Sequence, residues 1–190
     1  MDQTRLFEAV FAWSLPHCVG LITTASSAAV PASTFLLDGG DGSNLTFALN
    51  LPSNSDDLYF HMSGPVGNDW IAVGLGKVMK GSLILITYAA ADGHNVTVSP
   101  RIGSDHSEPT YTKDVSITLL PGSGLINNTY IVNGKCLGCR KWKGGSIDLK
   151  SKTQPMIYAV GPSDYLRSNA PDAGIRRHEE FGESWSTYHP

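Results

Sequence analysis

Residues 70–88, WIAVGLGKVMKGSLILITY, decide the fold class of this chain. The two ends of the stretch, WIAVGL at 70–75 and LILITY at 83–88, are almost continuously apolar and rich in β-branched residues. Short runs of this kind are typical of strands that are buried on both faces of a sheet. Between them, the G-x-x-M segment that ends at Met79 predicts a tight turn just before the second strand. The stretch therefore predicts two buried strands, with Met79 held firmly between them.

Further short strands are predicted on both sides of this stretch. They are rich in β-branched and aromatic residues, and turn signals lie between them. The strands are expected at 45–49, 57–62, 95–99, 115–119, 129–132 and 156–160, with turns at Asp92-Gly93, Pro121-Gly122, Asn133-Gly134 and Gly144-Gly145. This spacing predicts a sandwich or a barrel. Residues 162–190 have no clear period, and we expect them to form a loop packed across the domain.

Composition favours one turn-rich β domain. A chain of 190 residues with 41% hydrophobic residues can bury the core of a single domain. The 20 glycines, the 11 prolines and the low charged fraction of 16% favour a β protein over a helical bundle. The formal net charge is −3 and no basic run occurs, which argues against a nucleic-acid partner.

The N-terminal segment is predicted to be a signal peptide at residues 1–29, followed by the domain at 30–190. Residues 9–22 are mostly apolar and small residues follow them, as at a cleavage site; the alternative is a short apolar segment packed on the domain. No later apolar run is long enough to span a bilayer. Three sequons, at Asn44, Asn95 and Asn127, are candidate glycosylation sites. Together these features predict a secreted, extracellular glycoprotein.

The cysteines also bear on the cellular compartment. Cys18 lies in the predicted signal, and Cys136 and Cys139 form a C-x-x-C pair. A zinc site would need two more ligands at similar spacing, and a thioredoxin-like site would need a βαβ context; the sequence shows neither. We favour a small disulfide that closes a turn in an oxidising compartment.

Three local patterns, taken in order, resemble a known family. They are W-I-x-x-x-L-G-x-x-M at 70–79 with the apolar strand after it, C-x-G-C-x-x-W at 136–142, and H-x-x-F-G at 178–182. In this order they resemble the cytochrome domain of fungal cellobiose dehydrogenase and, more widely, the DOMON superfamily. The resemblance spans roughly residues 34–188.

This resemblance implies a b-type haem that is held without covalent attachment. The family's methionine and histidine ligands to the haem iron fall on Met79 and His178, and its disulfide falls on Cys136 and Cys139. Arg140 follows Cys139, so the C-x-x-C-H motif of c-type attachment is absent. We therefore expect an all-β, immunoglobulin-like antiparallel β-sandwich with a haem pocket at one face.

The chemistry of the two ligands favours electron transfer. A thioether and an imidazole that fill both axial positions leave no open site for oxygen, and the neutral sulfur favours ferrous iron. The second ring nitrogen of His178 is expected to find an acceptor in Glu179, Glu180 or a backbone carbonyl. Further candidates for cofactor binding are His106, in a loop where relatives carry an aromatic residue near the haem edge, and Arg176 with Arg177, as partners of a haem propionate.

The resemblance implies an electron-transfer domain rather than a stand-alone catalyst. The chain has no G-x-G-x-x-G flavin fingerprint, so it must receive electrons from elsewhere. The expected donor is a flavin-dependent dehydrogenase, and the expected acceptor is a copper polysaccharide monooxygenase or another protein; the domain is expected to be a monomer. Two alternatives remain open at this point. One is a haem-free DOMON module that binds sugar or another small ligand, and the other is a direct ferric reductase.

Overall fold

The computed structural model describes residues 33–38 and 44–187, apart from positions 149, 152 and 165. The predicted signal peptide and Cys18 lie outside this part of the chain. The strands are β1 (Ser33–Asp38), β2 (Asn44–Asn50), β3 (Leu58–Pro65), β4 (Trp70–Leu75), β5 (Leu83–Ala89), β6 (Val96–Ile102), β7 (Thr110–Tyr111), β8 (Ser116–Leu119), β9 (Gly124–Ile126), β10 (Thr129–Leu137), β11 (Lys141–Trp142), β12 (Gly145–Ser146), β13 (Thr153–Val160) and β14 (Glu180–Thr187).

These strands form two six-stranded sheets and a small hairpin. The first sheet has the order β1-β2-β3-β10-β8, with β9 also paired to β10, and the second has the order β14-β13-β4-β5-β6-β7. Strands β11 and β12 form the hairpin. Neighbouring strands run antiparallel, and no helix occurs in the described ranges. The prediction of an all-β antiparallel fold is therefore confirmed.

The main core lies between the two sheets. Alternate residues of each strand face it, as the two-residue period of a strand requires. The first sheet contributes Leu45, Phe47 and Leu49 from β2 and Leu58, Phe60 and Met62 from β3. The second sheet contributes Ile71, Val73 and Leu75 from β4 and Leu83 and Leu85 from β5. All of these side chains are buried.

A second apolar cluster occupies the opposite face of the second sheet. We call Trp70, Ala72, Ile84, Ile86 and Tyr88 the outer cluster; all five are buried. Every residue of β4 and β5 is buried, because the core covers one face and the outer cluster is covered on the other. The prediction that these two strands are buried on both faces is confirmed.

The outer cluster is covered by residues 161–178, which we call the strap. Leu166, Ala173 and Ile175 of the strap pack against the cluster. The strap is also tied to the sheet by hydrogen bonds, for example from the Tyr88 hydroxyl to the Ala170 carbonyl (2.5 Å). The predicted loop across the domain is therefore present in this part of the tail.

The remainder of that prediction is wrong, because Glu180–Thr187 forms β14, which pairs with β13 along its whole length. Residues 180–184 are at least partly exposed, so this edge strand has no apolar period in the sequence. Gly182 permits the pairing, since a Cβ there would lie 2.5 Å from the Tyr158 ring.

The predicted turn at Asn133-Gly134 is also wrong, because both residues lie inside β10. A Cβ on Gly134 would lie 2.3 Å from the Phe60 ring, so the glycine makes room for a core side chain. The Asn133 Oδ1 atom pairs with the His61 Nδ1 atom across the strands at 2.8 Å. Gly134 is therefore needed for packing inside a strand. The Asn-Gly dipeptide alone does not show whether its glycine serves packing or a turn.

Cys136 and Cys139 form a disulfide at the end of β10, and both side chains are buried. Gly138 adopts a φ of 68°, which closes the turn between them. The expected disulfide is thus confirmed. Within the described ranges, no helix has the length and apolar character needed to cross a membrane.

Candidate functional site

Met79 lies in the turn between β4 and β5, and its backbone is held from two directions. Within the turn, Ser82 donates its N–H to the Met79 carbonyl (3.1 Å) and its hydroxyl to the Val78 carbonyl (2.5 Å). Across the turn, the Gly81 N–H donates to the Gly103 carbonyl (2.8 Å), and the Gly103 N–H donates to the Ser82 carbonyl (2.9 Å). These bonds fix the position of the Met79 backbone.

The side chain of Met79 is half-buried and packs against the outer cluster. Its turn is also supported by Trp142, whose indole N–H donates to the Gly81 carbonyl (2.8 Å). The Met79 side chain therefore lies beside the outer cluster, near the C-terminal end of β4. The tight turn predicted before the buried strand is confirmed.

His178 reaches the same face from the other end of the strand. The neighbouring Glu179 N–H donates to the carbonyl of Val160 (3.0 Å), and Val160 is paired with Ile71 near the start of β4. Phe181 lies opposite Ala159 in the sheet, so the two side chains share a face. Ala159 packs against the outer cluster, and the His178 ring lies 4.6 Å from the Phe181 ring between centroids. His178 is thereby placed beside the outer cluster.

Met79 and His178 thus approach one face of one sheet from opposite ends of β4. Leu75 lies four positions after Ile71, which corresponds to about 13 Å along a strand. The surface between these ends includes the small side chains of Ala72 and Ala159. The arrangement places a sulfur donor near one end of this covered apolar cluster and an imidazole near the other.

The electrostatics of His178 suit a metal ligand. Burial lowers the pKa of its imidazole from the ordinary value of 6.5, and the neighbouring Arg177 charge lowers it further. The ring is therefore neutral at neutral pH, as an imidazole ligand must be. Its Nδ1 atom is buried and has no hydrogen-bond partner among the described residues. The expected acceptor for this nitrogen, Glu179, Glu180 or a carbonyl, is therefore not found.

These observations fit a haem held by two uncharged side chains. The donor set is one thioether and one neutral imidazole, both uncharged, beside an apolar surface. A buried ring nitrogen without a partner is consistent with a bound group completing its surroundings. Met79 and His178 are the residues that would hold the iron.

The weaker candidates lie around this pair. His106 is 97% exposed in the loop after β6, with its Nε2 atom 3.6 Å from Asp105. That loop adjoins the Met79 turn, because Lys80 pairs with Asp105 at 3.5 Å. His106 is therefore in the region of the methionine but has no contact with the outer cluster among those described.

Arg176 has an evident structural role. Its guanidinium pairs with the buried Asp69 (3.3 Å) and with Asp164 (2.5 Å), which fastens the strap to the start of β4. Arg177 is exposed and makes no ion pair with any described residue. It is thus the freer of the two arginines for a propionate.

Neither of two cavities among the described residues is lined by Met79 or His178. One of about 360 Å³ lies beside the Met79 turn and is lined by Lys77, Lys80 and Trp142 among others. The other, of about 290 Å³, lies between the strap and the β9–β10 turn. The haem pocket expected at one face therefore stays a prediction.

An ion pair between a buried arginine and a half-exposed glutamate beside the strap was not predicted. Arg101 of β6 is 2% exposed and pairs with Glu108 at 2.7 Å. The sequence did carry a signal, since the alternation in VTVSPRI directs Thr97, Ser99 and Arg101 away from the core. From the sequence alone, these polar residues would be expected to face solvent. The structure shows that the strap covers them.

Comparisons with known proteins agree with this fold. Residues 31–188 match the family described as the cytochrome domain of cellobiose dehydrogenase. The cytochrome domain of Myriococcum thermophilum cellobiose dehydrogenase has a similar structure, with a TM-score of 0.72, 17% identity and 82% of each chain covered.

The cytochrome b domain of pyranose dehydrogenase from Coprinopsis cinerea is also similar, with a TM-score of 0.67, 19% identity and 79% of each chain covered. A search of curated proteins finds no match. The family match extends over most of the chain and includes all three motifs. The chain therefore belongs to the family of cellobiose dehydrogenase cytochrome domains, whose cofactor is a b-type haem.

Proposed function

We propose that this domain transfers single electrons through a b-type haem held between Met79 and His178. The observation that carries the proposal is the approach of these two neutral donors to one apolar sheet face from opposite ends of β4. When bound, the haem supplies a reversible one-electron change at its iron.

The chain's own residues would make that change selective. Met79 and His178 would both hold the iron, which would leave oxygen no free position at which to bind. The turn hydrogen bonds hold the thioether in place, and the strap covers the outer cluster and excludes water from it. The neutral thioether also raises the reduction potential relative to an anionic ligand.

We further propose a flavin-dependent dehydrogenase as electron donor and a copper polysaccharide monooxygenase as acceptor. The family match to a dehydrogenase's cytochrome domain supports a donor of this class. A monomer would suit both encounters, since electron-transfer contacts are small and transient. The buried disulfide and the exposed sequon asparagines support a secreted location.

The axial ligands are tested by absorbance spectra of the protein reconstituted with haemin, first oxidised and then reduced with dithionite. Wild-type protein should show sharp α and β bands on reduction, and Met79→Ala and His178→Ala should each abolish them. His94→Ala, which removes an exposed histidine, is the matched control and should leave the bands intact. Bands that persist in both ligand variants would overturn the assignment, and a wild-type protein that takes up no haem would favour a haem-free binding module.

The partners are tested by stopped-flow mixing. Haem reduction by a flavin dehydrogenase with its sugar substrate, followed by reoxidation on addition of a copper monooxygenase, would support the relay. Reoxidation by ferric complexes alone would instead support a ferric reductase.

A further inference from the structure

Arg101 is a buried arginine whose hydrogen bonds reach three segments of the chain. Its Nε atom donates to the Ser99 hydroxyl (2.8 Å) on its own strand. Its Nη1 atom donates to Glu108 (2.7 Å) and to the Pro109 carbonyl (3.3 Å) in the loop after β6. Its Nη2 atom donates to the Ala173 carbonyl in the strap. A desolvated guanidinium is tolerated only when it is paired and hydrogen-bonded in this way.

Glu108 extends this arrangement further along the strap. The same Oε1 atom that accepts from Arg101 also accepts the Ile175 N–H at 3.1 Å. The ion pair therefore holds the strap at both Ala173 and Ile175, whose side chains pack on the outer cluster. Ile175 precedes His178 by only three residues. Its hydrogen bond to Glu108 therefore holds the chain close to His178, on the N-terminal side.

The strand that bears Arg101 also supports the Met79 turn. Gly103, two residues after Arg101, exchanges backbone hydrogen bonds with Gly81 and Ser82. The end of β6 is consequently in contact with the segments that carry both proposed ligands. A change at Arg101 that moves the strap alone should affect the histidine and leave the methionine turn in place.

We propose that Arg101, acting through Ala173 and through Glu108 to Ile175, is a positioning residue for His178. This inference rests on the proposed ligation of haem by His178. It assigns the buried ion pair a role in setting where the imidazole lies. The guanidinium itself does not touch the haem.

The first test is made on haem-free protein by hydrogen exchange. In Arg101→Met, the Ile175 amide and its neighbours in the strap should exchange at least tenfold faster than in wild type, while the amides of β4 and β5 keep their protection. Arg140→Met is the matched control, because Arg140 is also buried but donates to the Pro52 carbonyl, away from the strap. Unchanged strap exchange in Arg101→Met would overturn the proposal without any reference to haem.

The second test follows the ligand after reconstitution with haemin. The ferric Arg101→Met protein should contain a raised high-spin fraction and release haem at least tenfold faster, and added imidazole should restore the low-spin spectrum. Arg101→Lys keeps the charge but loses the planar guanidinium. Its high-spin fraction and its rate of haem release should lie between those of wild type and Arg101→Met. Low-spin spectra and haem release equal to wild type in Arg101→Met would overturn the positioning role.

Glu108→Ala provides a second route if Arg101→Met does not fold. Glu108 is half-exposed and belongs to neither apolar cluster, so its removal leaves both clusters in place while it deletes the bonds to Arg101 and to Ile175. It should reproduce the high-spin fraction and the rescue by imidazole. If wild-type protein shows no spectrum of a histidine-ligated haem, the proposed function fails. If wild type shows that spectrum and the variants show the same spectrum, only the positioning role fails.

Discussion

At the scale of single residues, Gly103 shows how a position without a side chain controls the candidate ligand. A Cβ built on Gly103 would lie 1.7 Å from the Met79 carbonyl oxygen, well inside van der Waals contact. The backbones of β6 and the Met79 turn can approach this closely only because one of them is glycine. The position of the Met79 backbone is therefore set partly by Gly103, the residue that follows β6.

We expect Gly103→Ala to push the Met79 turn away from β6. It should lower the free energy of unfolding by about 1–3 kcal/mol, as overpacking does, and weaken the low-spin spectrum of the haem-loaded protein. Denaturant unfolding and absorbance measure the two effects. Gly67→Ala is the control, since its added Cβ would meet nothing within 4 Å. Equal stability of the two variants would show that the close approach is unimportant.

At the scale of structural elements, the strap turns a sheet face into a covered site. Tyr88 of β5 and Thr97 of β6 donate their hydroxyls to the strap carbonyls of Ala170 and Ser168 at 2.5 and 2.6 Å. Asp69 accepts the Leu166 N–H at 3.1 Å and pairs with Arg176. The strap has no regular secondary structure, so its backbone N–H and carbonyl groups need other hydrogen-bond partners. Side chains of the sheet supply them.

The tie from Tyr88 should depend on pH at the alkaline end. Burial raises the pKa of its phenol above the ordinary value of 10.0, although the Arg101 charge works in the opposite direction. The folded protein then holds its proton more tightly than the unfolded chain does. This contribution to stability is fully present below pH 10.0 and is lost as the pH rises through the folded pKa.

Tyr88→Phe should therefore lower the free energy of unfolding by about 1 kcal/mol at neutral pH and reduce the fall in stability above pH 10.0. Urea unfolding at a series of pH values measures both changes. Tyr59→Phe, at an exposed position, is the control and should retain the wild-type profile. A Tyr88→Phe profile parallel to wild type would contradict the role of this hydroxyl.

At the scale of the whole molecule, the surface separates the site from the sequons. Asn44 begins β2, Asn95 lies in the turn before β6, and Asn127 lies in the turn between β9 and β10; all three are exposed. None of them contacts the outer cluster in the described part of the chain.

Expression through a eukaryotic secretory pathway should yield protein with N-linked glycans at Asn44, Asn95 and Asn127. Peptide mass spectrometry after enzymatic release in heavy-oxygen water would identify each modified asparagine. Thr97→Ala should remove only the glycan at Asn95, because it destroys that sequon alone. Secreted protein without any glycan would contradict the prediction.

The motifs identified the two candidate ligands, but the sequence left much of their surroundings undetermined. The Met79 turn was predictable because it lies between two apolar runs that are contiguous in the chain. Strand β14 was missed because its exposed side chains leave no period and its stability comes from pairing with β13. The contacts of Arg176 with Asp69 and Asp164 were missed because they join residues distant in sequence.

The sequence alone established the all-β class and the two-sided burial of β4 and β5, and its resemblance to a known family supplied the candidate donors Met79 and His178. Apolar runs and motif spacing are local properties, and local properties can be read from a chain. Only the folded chain shows that the strap covers the outer cluster, that the half-buried His178 ring lies beside Phe181 with its Nδ1 atom buried, and that Arg101 pairs with Glu108 beside the strap. These features depend on which distant segments come into contact. Burying a polar group is unfavourable unless another segment supplies its hydrogen-bond partner, and the sequence does not show which segment that is.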